Sequence, residues 1–224
     1  MASRRPSLGI VARAIGRVCY AEALTVAWSS VLFVLGSLPV LTIGASLLAL
    51  TETWLTIVDA ESEGRNVTER ERFGVFARTW RESLFGGIPY SLALALVVAG
   101  SLVYFVLGSA GRSGLLLVWT LVGLYLVVIV LGWEFRAASV RMRSPAAERP
   151  GFREAMERAA YSVLDSPGYS VLALAWFASV LFSLTVFPPA FVALGPAVLC
   201  VTETVGFEEL FGDGAETIRA AYAR

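Results

Sequence analysis

The chain has 224 residues, is 57% hydrophobic with a mean hydropathy of +0.70, and carries only 16% charged residues. Soluble domains do not sustain that balance over such a length, and a formal net charge of zero gives no basis for nucleic-acid binding. All 18 basic residues are arginine, with no lysine and no histidine, which removes the commonest general base and metal ligand.

The charge is clustered. No charged residue lies between Glu22 and Glu52, Glu82 and Arg112, Arg112 and Glu134, or Asp165 and Glu203. Each gap is long enough for a membrane helix of roughly 20 residues. The two cysteines, Cys19 and Cys200, are far apart in sequence and belong to no CxxC or metal spacing, so they read as packing residues.

Residues 8–20 place Leu8, Val11, Ile15, Val18 and Cys19 on one helical face and Arg13 and Arg17 on the other, the pattern of a helix lying along the membrane surface. With Arg4 and Arg5 before it, the first apolar run reads as a retained anchor rather than a cleavable signal. The uncharged run 23–51 would make a helix of about 44 Å, longer than the roughly 30 Å hydrocarbon core. Pro39 disfavours helix at Leu38 and suits a turn, so the run reads as a hairpin over about 22–58. A single span would put the five arginines of 65–81 opposite those at the N-terminus, against the positive-inside rule.

Residues 67–85 form a second surface helix. Asn66–Glu69 and Thr68–Glu71 both have capping-box form, Phe73, Phe76, Trp80 and Leu84 make an apolar stripe, and Arg78 and Glu82 stand at i, i+4. Gly86-Gly87 is expected to break this helix. Spans at Ile88–Ser109 and Gly114–Trp133 follow, making a hairpin over about 88–134 whose turn carries Arg112. A third surface helix over 151–165 lines one face with Phe152, Ala155, Met156, Ala159, Ala160 and Val163, and pairs Arg153 with Glu157 and Glu154 with Arg158 on the other. The run 166–202 would reach about 55 Å as one helix; Pro188 and Pro189 in its middle make it a hairpin over about 169–206. Asp213–Glu216 looks like a cap for a last short helix.

The expectation is therefore one all-α membrane domain over 1–224, with six transmembrane helices in three hairpins, each preceded by an amphipathic helix at the cytoplasmic face. Seventeen of 18 arginines fall on the side of the termini, which predicts a multi-pass protein of the cell membrane with both termini cytoplasmic. Trp54, Trp80 and Trp133 are expected at the interface, and Trp28, Trp119 and Trp176 between helices. Internal similarity supports the repeat: Gly44, Thr51, Glu52 and Thr53 align with Gly195, Thr202, Glu203 and Thr204 at an offset of 151.

Glu52, Glu134 and Glu203 each lie near the cytoplasmic end of the second helix of a hairpin. A charge within a span is costly and seeks a partner inside the bundle. Two readings stand. In one the acids accept hydrogen bonds from Arg17, Arg81 and Arg158 and pin the surface helices. In the other they form an acidic cluster, open to the cytoplasm, that binds a cation, a proton or a polyol-like ligand. Thr42, Gly44 and Gly195 read as close-packing positions and Pro39, Pro188 and Pro189 as turn residues. No phosphate loop, nucleophile elbow or zinc motif is present, so no enzyme, cofactor or metal is expected.

At Leu38–Leu50, LPVLTIGASLLAL, followed by the aromatic and basic Phe73–Arg81, FGVFARTWR, the chain resembles the YesL-like family of small prokaryotic membrane proteins. The similarity covers most of the chain. Members often accompany carbohydrate ABC-type uptake systems, which implies an accessory role in sugar transport with permease subunits or self-association as partners, and the family defines no catalytic residue. This chain departs from it in having acids at 52 and 203. The resemblance thus favours a non-enzymatic accessory or assembly partner of a solute uptake system; the alternative is a small repeat-built transporter or channel with an acidic cytoplasm-facing site.

Overall fold

The computed structural model describes residues 8–212 and 214–222, the side chains of Leu8, Leu184 and Thr185 excepted. Arg4, Arg5 and the proposed cap at Asp213 lie outside the described residues. Those described are helical throughout, with no strand: α1 (Leu8–Ala21), α2 (Ala23–Gly36), α3 (Ile43–Ser62), α4 (Glu69–Glu82), α5 (Leu84–Ala110), α6 (Gly114–Arg143), α7 (Phe152–Asp165), α8 (Pro167–Val186), α9 (Pro188–Phe211) and α10 (Ala215–Ala221), with short 3-10 turns at Val40–Thr42 and Ala146–Glu148.

Four stretches are long and apolar enough to cross a membrane alone: Val40–Ser62, Leu84–Ala110, Gly114–Arg143 and Pro188–Phe211. Two further crossings arise if each sharply bent pair counts as one. These are α1 with α2, bent by 86°, and α7 with the following Pro167–Ser183, bent by 111°.

The packing has a cyclic order. Helices α3, α6 and α9 touch one another at the centre. Each is flanked by two helices that come after it in this cycle: α3 by α4 and α5, α6 by α7 and α8, and α9 by α1 and α2. Burial follows position. The apolar windows of α3 and α9 are 67% and 61% buried, whereas those of α5 and α6 are 17% and 11% buried. Beyond the crossing of Ser101 and Gly123, where a Cβ on the glycine would lie 2.3 Å from the serine Oγ, α5 and α6 form a two-helix arm. Its outer faces, from Leu102 to Val106 and from Leu115 to Val122, are exposed and apolar.

Local chemistry explains the breaks. Pro39 is extended at φ −75°, ψ 115°, and Thr42 Oγ1 donates to the carbonyls of Gly36 (2.6 Å) and Pro39 (2.7 Å), so Thr42 locks the turn between α2 and α3. Pro188 and Pro189 open α9, where their missing N–H groups cost nothing. Thr68 caps α4 in a full capping box with Glu71. Arg153–Glu157 and Glu154–Arg158 bond along α7 at 3.0 and 2.5 Å.

Other expectations are corrected. Gly86 and Gly87 do not break a helix; the break is at Ser83, and both glycines lie in the first turn of α5. Gly87 is needed for contact: a Cβ on Gly44 would sit 2.0 Å from its carbonyl oxygen. The helices carrying the three acids run on to Ser62, Arg143 and Phe211, so each acid lies roughly two to three turns inside its helix. Trp54 is not at an interface but is fully buried, because α3 is enclosed by its neighbours. Trp119 sits on the arm, 49% exposed and stacked on Tyr104 at 6.3 Å, and Trp176 is 45% exposed.

Candidate functional site

The three glutamates stand on the three central helices, and their surroundings differ. Glu52 on α3 accepts from Arg149 Nη2 at 2.9 Å, both side chains remaining about a quarter exposed. Glu203 on α9 pairs with Arg136 of α6 through Nε and through Nη2 (3.3 Å), and both side chains are about 5% exposed. Glu134 on α6 is the most buried of the three, 1% exposed, and its Oε1 has no partner.

None of the arginines expected from the sequence holds these acids. Arg17 Nη1 donates to the carbonyl of Arg219 at 3.3 Å, because α1 lies beside α10. Arg158 bonds Glu154 on its own helix, and Arg81 is exposed near the end of α4. Helices α1, α4 and α7 are turned so that their apolar faces are buried rather than these arginines: Val11, Ala14, Ile15 and Val18 of α1, Phe76 of α4, and Ala155 and Ala159 of α7. Arg136 was the missed partner with a sequence signal, a second charge two residues from Glu134 in an apolar helix. Arg149 has none, since it lies in a loop 97 positions from Glu52.

The acids do not form one metal-like cluster; among the described residues no three carboxylates or thiols converge that way. Helices α3 and α9 instead meet through small side chains, just before the Thr-Glu-Thr segment of α9. Cys200 Sγ lies 4.0 Å from Thr51 Oγ1, and Thr51, Thr53 and Thr202 each turn their hydroxyl to the carbonyl four residues back, at 2.7–2.9 Å. That local bond satisfies a hydroxyl inside an apolar bundle without a partner helix. Gly195 is buried next to Phe191 of its own helix, whose ring would lie 2.2 Å from an added Cβ.

A further ion-pair knot, absent from the sequence reading, holds the bend between α1 and α2. Arg72 of α4 grips Glu22 through both terminal nitrogens, donates to Thr25 Oγ1 (2.8 Å) and reaches Glu69 (2.9 Å). Trp28 Nε1 donates to the other oxygen of Glu69 at 2.7 Å. A similar pair, Arg143 with Glu208, joins α6 to α9, its guanidinium carbon 4.7 Å from the Phe207 ring centre.

The contacts between each central helix and the outer helix that follows it are closed to different degrees. At α3 and α5, Ser91 Oγ accepts from Gly44 N–H and donates to Leu41 O, both at 2.8 Å. At α9 and α2, Ser30 Oγ accepts from Ala197 N–H at 3.1 Å. At α6 and α8 a cavity of about 260 Å³ remains, with Ile129, Trp133 and Phe177 on its walls and the Arg136–Glu203 pair among its lining. A second cavity of about 490 Å³ lies on the other side of α8, against Gly16 and Cys19 of α1.

Compared with protein-family models, curated proteins and solved structures, the chain matches none.

Proposed function

We propose that this protein is a multi-pass protein of the cell membrane with six spans in three hairpins and both termini cytoplasmic, and that it serves as a non-enzymatic accessory or assembly partner of a carbohydrate or solute uptake system. The cyclic packing of α1–α3, α4–α6 and α7–α9 supports an internal repeat of surface helix, outer helix and central helix. The resemblance of Leu38–Leu50 and Phe73–Arg81 to the YesL-like family supports the accessory role.

One observation carries the partner reading: the α5–α6 arm. Two helices of 27 and 30 residues pack on each other and leave their outer faces apolar and exposed along several turns. Such an arm suits lateral contact with the helices of another membrane subunit. Affinity purification from native membranes, with a photoreactive residue at Val103 or Leu121, tests this. Permease or ATPase subunits captured through the arm are expected; a lone homo-oligomer that moves solute in liposomes overturns it.

A second reading, a small transporter, rests on Glu134. A buried carboxyl with an unpartnered oxygen on a central helix is the kind of group that proton- or cation-coupled carriers use. Under that reading Glu134→Gln abolishes solute movement in proteoliposomes while leaving folded protein unchanged.

A further inference from the structure

We propose that the outward face of α4 is a docking surface for anionic phospholipid, whose phosphates are held by Arg70, Arg78 and Arg81; this rests on the placement of α4 at the membrane surface in the reading above. Apart from Arg112 in the turn after α5, each other described arginine bonds a carboxylate or a backbone carbonyl, as Arg65 does Glu63, Arg141 the carbonyl of Pro150 and Arg13 that of Gly9. Arg70, Arg78 and Arg81 bond neither among the described residues, and all three are exposed. The Arg78–Glu82 pair expected from the spacing does not form.

The rotation of α4 is fixed from its inner side. Arg72, Phe76 and Thr79 are buried, and Trp80 Nε1 donates to Ser46 Oγ of α3 at 3.1 Å. At roughly 100° per residue, Phe73, Arg70, Arg81 and Arg78 then follow one another over about 140° of the opposite side, with Glu82 beyond its far edge. Helix α7 stands to α6 as α4 stands to α3, and makes the contrast. Its exposed Arg153 and Arg158 are neutralised along the helix by Glu157 and Glu154. The acids of α4 are used elsewhere: Glu69 holds Arg72 and Trp28, and Glu71 closes the cap. The face is thus left with three cations and one free acid at its margin.

Its neighbours are apolar. Phe73 is 51% exposed, and Phe85, the second residue of α5, is 86% exposed. Two phenyl rings beside three free guanidinium groups suit neither water nor hydrocarbon alone; the layer of phosphates above acyl chains suits both. The place along the chain agrees. Arg81 lies two residues before Ser83, where α4 ends and α5, long and apolar enough to cross a membrane, begins. A span that starts at Leu84 sets Arg78 and Arg81 at the depth of the headgroups. Guanidinium matches phosphate oxygens in a bidentate fork. A zwitterionic lipid brings its own ammonium group to its phosphate, so unpaired arginines select the lipid with net negative charge. An acidic protein segment would satisfy the arginines but leave the phenyl rings in water.

The test uses the purified full chain in a non-ionic detergent, with bound lipid counted by native mass spectrometry. Phosphatidylglycerol and phosphatidylcholine of the same acyl chains are titrated in turn. An arginine near an anionic surface contributes roughly fivefold, so two of the three engaged at once should make phosphatidylglycerol bind at least about 25-fold more tightly. Replacing Arg70, Arg78 and Arg81 together by Gln should bring the two lipids to within about twofold of each other while the melting temperature stays at the wild-type value. Arg153→Gln with Arg158→Gln on α7 should leave the preference intact, and millimolar glycerol 1-phosphate should not displace the lipid. Equal binding of the two lipids, a preference that survives the triple replacement, or displacement by glycerol 1-phosphate, which would mark a site for soluble anions, would each overturn the proposal. If the triple variant does not fold, Arg78→Gln and Arg81→Gln singly should each lower the preference about fivefold, and no change in either overturns it equally. These readouts depend neither on the sidedness of α4 nor on whether the α5–α6 arm captures a partner, both of which are tested separately.

Discussion

Gly44 and Gly87 meet backbone to backbone where α3 crosses α5. A Cβ on Gly44 would lie 2.0 Å from Gly87 O, and one on Gly87 would lie 2.3 Å from Ala45 N. Both obstacles are backbone, which cannot swing aside. Gly44→Ala and Gly87→Ala should therefore each cost at least about 1–3 kcal/mol through forced separation of the helices. Gly100→Ala, in the same helix α5 with open space around it, should cost nothing. Thermal unfolding of the three variants in one detergent checks the contrast; equal melting temperatures would remove the close approach from the account.

The Arg136–Glu203 pair crosses from α6 to α9 almost out of contact with solvent. Removing one charge strands the other, so Glu203→Gln should destabilise by about 3–5 kcal/mol, while the double replacement Arg136→Met with Glu203→Leu should recover most of that. Glu52→Gln should cost far less, since its pair with Arg149 keeps about a quarter of each side chain in contact with solvent. A double-mutant cycle read by chemical unfolding checks the order of the two.

At the start of α4, Thr68 accepts from Glu71 N–H, and the Glu71 carboxylate accepts from the backbone and hydroxyl of Thr68 (2.8 and 2.9 Å). These bonds hold the Glu71 carboxyl below its ordinary value of 4.5. A carboxyl depressed in the folded state contributes stability that is present above its ordinary value and is lost as pH falls through the folded one. Fraying of α4, read by hydrogen exchange of the Glu71 and Arg72 amides, should thus increase below that value. Thr68→Ala, which keeps the backbone N–H, should cost about 1 kcal/mol and only weaken the acid dependence, whereas Glu71→Gln should remove it. A variant with unchanged acid sensitivity would show that the box does not control this helix end.

On the proposed topology the turn after α5 and the loop after α6 face opposite sides of the membrane. With Cys19→Ser and Cys200→Ala as background, Ser109→Cys should react with an impermeant maleimide added to intact cells. Ala147→Cys should react only after lysis. Both positions are exposed. Labelling of Ala147→Cys in intact cells would reject the cytoplasmic assignment of the surface helices.

Much of this was readable along the chain. Helical class, apolar runs, the Thr68 box and the Arg153–Glu157 and Glu154–Arg158 pairs all depend on residues within four positions of one another, and local spacing carries them. The partners of the acids do not. Arg149 lies 97 positions from Glu52 and Arg136 67 from Glu203, so these pairs exist only once the order of helices around the centre is fixed. Gly86-Gly87 shows the same limit. A pair of glycines reads locally as a breaker, and its role in letting α5 touch α3 needs Gly44 beside it. Trp54 and Trp119 exchanged their expected places because an apolar helix does not declare which of its neighbours is protein and which is lipid.

The helices also differ in length in a way that bears on the surrounding bilayer. Helix α2 has 14 residues, about 21 Å, whereas the uncharged part of α6, Gly114–Trp133, reaches about 30 Å, the thickness of the hydrocarbon layer. On the proposed topology the molecule is then thinner on one side: lipids beside α2 are compressed, while those beside α6 are not. Each ångström of such mismatch costs a fraction of a kcal/mol, so on that topology the α2 side would favour neighbours and lipid regions that relieve it.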